Sequence, residues 1–193
     1  MDKNVIPYKQ KKDTCAIACM LMILEYFKAI PKANWYEERR LYRLYKSKYM
    51  NGTPFSALAF YMSKNGLKTT IYHENKELFN NEQRAIDEDT FKLAMDEYKK
   101  YLKYAENNGT KIVNGINITI DVLKQNLQNG NLVILAGEVS GIYHAILLTG
   151  YSKNDFKVCD PLYKTKQNKT FEELEKFMNT SIGKWFISVN KKM

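Results

Sequence analysis

An α+β fold is predicted. Helical periodicity dominates the first 64 residues, apolar strand-like runs dominate the stretch from 132 to 189, and the two kinds do not alternate as a βαβ repeat would require. At 193 residues the chain suits one domain, 1–193, with room for an insertion at 75–110.

The elements follow in order. Thr14 stands where a helix cap is expected, before a run at 15–28 that buries Ile17, Met20, Leu21 and Leu24. Pro31 lies just beyond its end. A second helix is expected over 34–49, with Tyr42, Tyr45 and Tyr49 on one face. After Asn51-Gly52, Pro54 opens a third helix at 55–64, and Asn65-Gly66 closes it as a left-handed cap does. Residues 67–73 alternate like a strand. Residues 75–110 are polar, with helical periodicity over 89–106 (Phe91, Met95, Tyr98, Leu102), and read as a helical insertion or flap that no strand closely flanks. A short helix at 122–128 is capped from Thr119. Asn129-Gly130 then turns into strands at 132–136, 141–151 and 156–160, the last two joined by a turn at 152–155. Thr170 and Glu173 have capping-box spacing at the head of another helix, and 184–189 is a final strand.

Composition narrows the functional classes. The longest apolar run, 15–27, contains Glu25 and is too short to cross a bilayer, so no membrane segment is expected. Residues 1–7 lack the apolar centre of a signal peptide, and three cysteines are too few for a disulfide framework. Free thiols and a cytoplasmic location are the expectation. The net charge of +9 comes from lysines scattered along the whole chain, which read as a solvated surface rather than a nucleic-acid footprint.

Two segments carry chemistry. Gln10 precedes Cys15 by five residues, and Cys15 opens the first helix, where free N–H groups and the helix dipole favour a thiolate. Lys11 and Lys12 act in the same direction. The Cys15 N–H and the Gln10 amide are candidate donors to a developing oxyanion. Taken alone, Cys15 reads rather as a small apolar residue of a buried helix. His144 lies among Ala145, Ile146, Leu147 and Leu148, where a polar ring needs a reason. Asp160 supplies one: a five-residue loop at 150–154 would set it opposite His144 on an antiparallel pair, although a slip of one residue would separate them. Asp160 also suits a turn before Pro161. Cys15, Cys19, His144 and Cys159 match no common zinc spacing, so neither metal nor cofactor is expected, and Cys19 and Cys159 read as core. His73, beside Glu74, reads as a surface residue.

The segment Val5-Ile-Pro-Tyr-Lys-Gln10-Lys-Lys-Asp-Thr-Cys15-Ala-Ile-Ala-Cys19 resembles the nucleophile segment of the bacteriocin-processing, double-glycine leader peptidases, a papain-like family. Tyr143-His144-Ala-Ile-Leu-Leu-Thr-Gly-Tyr151 with Val158-Cys-Asp160-Pro161 resembles its histidine and aspartate segment, and Gly52-Thr-Pro-Phe-Ser-Ala-Leu58 with Lys64-Asn-Gly66-Leu67 its linking helix. The resemblance implies a papain-like fold, with an N-terminal helical half packed on a C-terminal antiparallel sheet. It implies Cys15 as nucleophile, His144 as base and acid, Asp160 as its orienter and Gln10 as oxyanion donor, acting on a peptide or protein substrate. Hydrolysis, transfer to an amine, or a binding domain that has lost catalysis stay open at this level. Two features depart from the family pattern: Ala16 stands where glycine usually follows the cysteine, and no transporter segment accompanies the peptidase, so a free-standing enzyme is implied.

Overall fold

The computed structural model describes residues 2–74, 87–180 and 184–192. The N-terminal half supplies helices α1 (Cys15–Tyr26), α2 (Trp35–Tyr45) and α3 (Phe55–Lys64), then strand β1 (Leu67–His73). Helix α4 (Glu88–Asn107) and strand β2 (Lys111–Asn114) follow, then α5 (Ile120–Gln128), β3 (Leu132–Val139), β4 (Ile142–Tyr151) and β5 (Asp155–Cys159). Strand β6 (Gln167–Thr170), helix α6 (Phe171–Asn179) and strand β7 (Trp185–Lys191) complete the chain.

All seven strands form one sheet, in the order β2-β1-β7-β3-β4-β5-β6. Its pairs are antiparallel except β1 with β2, which run parallel. The sheet is therefore mixed, and β1 joins it from the N-terminal half. Strands β2 and β6 were not expected from sequence. Both are four-residue edge strands with no buried residue, too short to show the apolar alternation that marks a strand.

Strand alternation sorts the core into two layers. Leu132, Ile134, Ala136, Ala145, Leu147, Ile187 and Val189 pack with α1, α3 and α4 on one face. Val133, Leu135, Ile146, Leu148, Val158 and Phe186 pack with Leu123 and Leu127 of α5 and Leu174, Phe177 and Met178 of α6 on the other. Residues 16–24 of α1 are buried without interruption, as befits a helix enclosed by sheet and neighbouring helices.

The segment expected as an insertion is flanked by strands on both sides, contrary to the sequence reading. α4 packs against α3 and belongs to the crossover that two parallel strands require. It stands near β1, and β7 and β3 lie between β1 and β4. The expectation of a flap falls partly on residues 75–86, which lie outside the described residues.

Candidate active site

Cys15 is the first residue of α1 and is half-buried, whereas Cys19 and Cys159 are buried; all three thiols are free. Burial, together with the charges of Cys15 and Asp160, pushes the Cys19 thiol up. Burial carries Cys159 to about 12. One turn into α1, the Cys19 thiol donates to the backbone oxygen of Ala145 at 3.5 Å, so the helix lies along β4 next to His144.

His144 is placed by a tight hairpin. β3 and β4 pair Val139 with Ile142, leaving a two-residue loop in which Ser140 (φ 53°) and Gly141 (φ 76°) both adopt left-handed backbone. That geometry matches the twist of the strands it joins. The register sets His144 opposite Gly137. A Cβ at Gly137 would stand 2.4 Å from the Phe177 carbonyl oxygen and 2.7 Å from its ring, so glycine is required where α6 closes on β3. The same Phe177 ring meets the His144 ring edge-on, with centroids 6.4 Å apart.

His144 Nε2–H donates to Asp160 Oδ1 at 2.8 Å, and both residues are buried. The Cys15 thiol lies near enough to the ring to favour its charged form. Burial works against the imidazolium, but the bond to Asp160 and the influence of Cys15 outweigh it, and the pKa rises to about 9. Burial disfavours the Asp160 carboxylate, yet the His144 bond and the Leu162 N–H, donating at 3.0 Å, hold its pKa below the ordinary value. The Asp160 carbonyl oxygen accepts from Tyr163 N–H at 2.9 Å, so the residue also closes a turn.

The register differs from the simple hairpin expected. Leu147 pairs with Cys159 and Leu148 with Val158, but Gly150 pairs with Lys157, so a bulge falls at Thr149. Extended by one step, this register sets Asp160 opposite Ile146 and diagonal to His144. An offset of two preserves the face, and diagonal neighbours stay within reach of long side chains. Without the bulge, Asp160 would fall opposite Leu147, on the other face. The N-terminus takes up the bulged residue's polar groups. Thr149 Oγ1 donates to Asp2 Oδ1 at 2.8 Å, and Lys3 N–H donates to the Thr149 carbonyl oxygen at 3.0 Å.

Gln10 is brought beside this corner by its N–H, which donates to the Pro161 carbonyl oxygen at 2.9 Å. Its side-chain Oε1 is buried with no hydrogen-bond partner among the described residues. Thr14 occupies the N-cap position of α1 but does not cap it; its hydroxyl donates to Glu38 instead. His73 is buried rather than exposed, because Trp185 stacks on it and Tyr98 hydrogen-bonds to it.

Sequence reasoning missed Glu38, Gly137, Phe177 and the N-terminal contacts of Thr149. A signal existed only for Glu38, which shares the helical stripe of Leu41 and Tyr45.

A model of the Peptidase C39-like family matches residues 2–191. The chain belongs to this family. Among solved structures, a Bacillus anthracis protein assigned to the C39-like peptidases matches with a TM-score of 0.51 at 15% identity, covering 98% of this chain and 96% of that one. The peptidase domain of Streptococcus ComA, a bifunctional ABC transporter of a quorum-sensing pathway, matches with a TM-score of 0.53 at 12% identity, covering 98% of this chain and 100% of that one. No curated protein matches detectably. The C39-like chain thus has the family and the α+β fold of papain-like cysteine peptidases. Among its described residues, no helix is long and apolar enough to cross a membrane.

Proposed function

We propose that this C39-like chain is a cysteine peptidase cleaving peptide or isopeptide bonds, Gly-Gly leader-type sites being the first to try. The observation that carries the reading is the buried His144–Asp160 hydrogen bond, with the Cys15 thiol, at a helix N-terminus, near enough to the ring to raise its pKa. The Cys15 thiolate adds to the scissile carbonyl carbon. The charge that develops on the carbonyl oxygen is met by the Cys15 N–H and the Gln10 amide, whose buried, unpartnered oxygen marks a side chain not committed to the fold. The imidazolium of His144 gives its proton to the leaving amine as the C–N bond breaks, leaving a thioester on Cys15. Neutral His144 then takes a proton from water as it adds to the thioester; the C–S bond breaks, releasing the acid and restoring the Cys15 thiolate beside the His144 imidazolium. Asp160 holds Nε2–H throughout, which leaves Nδ1 to serve the sulfur. Three free thiols suit a reducing compartment, and we place this activity in the cytoplasm.

The test is a peptide library spanning Gly-Gly-X and other junctions, read by mass spectrometry with wild type and Cys15→Ser. Cleavage by wild type with loss in the variant is expected. Cleavage that persists in Cys15→Ser overturns the assignment of the nucleophile, and a product joined to an added amine shows transfer in place of hydrolysis.

A further inference from the structure

We propose that Glu38 of α2 is the positioning residue of the oxyanion site, holding the loop 8–14 so that the Gln10 amide and the head of α1 serve one point. The proposal rests on the cysteine-peptidase reading above.

Glu38 is fully buried, although it is a carboxylate, and shares the buried face of its helix with Leu41. A buried carboxylate is tolerated only when it is well hydrogen-bonded, and this one is. Tyr8 Oη donates to Oε2 at 2.5 Å, Lys11 N–H donates to Oε1 at 3.1 Å, and the Thr14 hydroxyl donates to Oε1 as well. These donors bracket Gln10 on both sides and end at the residue before Cys15. The loop's opposite side is fixed by Gln10 N–H on the Pro161 carbonyl oxygen, at the turn that begins with Asp160. The loop is thus clamped between α2 and the corner carrying the His144 partner.

The residue type matters. The two oxygens of the side chain receive all three donors, Tyr8 on one and Lys11 and Thr14 on the other. By drawing the Thr14 hydroxyl to itself, Glu38 also keeps that hydroxyl from capping α1, so the first-turn N–H groups next to Cys15 are not claimed by a side chain. This satisfies the donors of the loop while leaving the helix end to an anion.

Two reactions of one thiol separate positioning from general damage. With p-nitrophenyl acetate, the Cys15 thiolate adds to the ester carbonyl and a negative oxygen forms. The C–O bond then breaks, expelling p-nitrophenolate and leaving S-acetyl-Cys15. With iodoacetamide, the thiolate displaces iodide and no carbonyl charge develops. In Glu38→Ala, acylation of Cys15 should fall by about 100-fold while its alkylation rate is unchanged. Glu38→Gln, which keeps one acceptor oxygen for Lys11 and Thr14, should recover most of the acylation rate. Amide exchange over residues 8–14 should accelerate in Glu38→Ala and stay near wild type in Glu38→Gln. Equal loss in both reactions, no loss of acylation, or unchanged exchange overturns the proposal. Wild-type protein that is alkylated but not acylated at Cys15 fails the peptidase reading instead, and the exchange measurement then decides whether Glu38 holds the loop. If Glu38→Ala does not fold, Tyr8→Phe and Thr14→Val, each deleting one donor, must show the same split to a smaller degree.

Discussion

The chain's two histidines sit on strands of one sheet and are buried to a similar extent, His144 at 7% and His73 at 4% exposure, yet they are driven in opposite directions. Burial disfavours the cation at both. At His73 the Tyr98 hydroxyl at 3.0 Å and the stacked Trp185 ring leave burial dominant, and the pKa falls to about 4. At His144 the Asp160 carboxylate and the Cys15 thiol reverse the outcome, and it rises to about 9. A buried histidine is therefore not by itself a candidate base; its partners decide. The fold stacks one ring as packing and surrounds the other with groups that favour its charged form.

The largest test of this contrast is catalytic. His144→Ala should lower turnover of p-nitrophenyl acetate at Cys15 by about 10⁴-fold, whereas His73→Gln should leave it at the wild-type rate in protein that folds. Comparable losses in both variants would erase the distinction drawn between the two sites.

Stability against pH should show two limbs. His144 has a folded value of about 9 against an unfolded 6.5, so its stabilisation is complete below pH 6.5 and is lost as pH rises through 9, on the order of 3 kcal/mol in all. His73 has a folded value of about 4, so a penalty opens below pH 6.5, where the unfolded chain takes up the proton first. It grows to about 3 kcal/mol by pH 4. Urea unfolding across pH should give a maximum near neutrality. His144→Ala should flatten the alkaline limb and His73→Gln the acid limb; a variant that flattens the wrong limb breaks the assignment.

The smallest effect concerns support rather than charge. Gly137→Ala forces a Cβ against the Phe177 carbonyl and ring, so α6 must shift from β3. A loss of about 1–3 kcal/mol in urea unfolding is expected, with a matching fall in Cys15 acylation as the His144 ring loses its apolar wall. Unchanged stability would show that α6 accommodates the methyl freely.

How much was legible before the structure varies with the range of the contacts involved. Helices α1, α3, α5 and α6 were visible from apolar spacing and caps, as were the central strands, because those signals lie within a few residues of one another. Helix α2 stops at Tyr45, short of the expected 49, since Lys46 turns extended (ψ 142°). Gln10, Cys15, His144 and Asp160 stood out because polar chemistry sat beside apolar runs. Glu38 did not, for in a helix beginning Trp35-Tyr-Glu-Glu-Arg39 only its place on the stripe of Leu41 and Tyr45 separates it from the half-buried Glu37.

Sequence alone determined most of the helices and the central strands, that the fold is α+β, and which side chains have the chemistry for a thiol site. Tertiary structure decided the rest. The bulge at Thr149, filled by Asp2 and Lys3, chose the face on which Asp160 meets His144. Trp185 and Tyr98, distant in the chain, buried the histidine that looked exposed. The reason is physical: secondary structure follows from backbone and side-chain preferences over a few neighbours. The burial, charge state and facing of a side chain depend instead on groups that only the folded chain brings together.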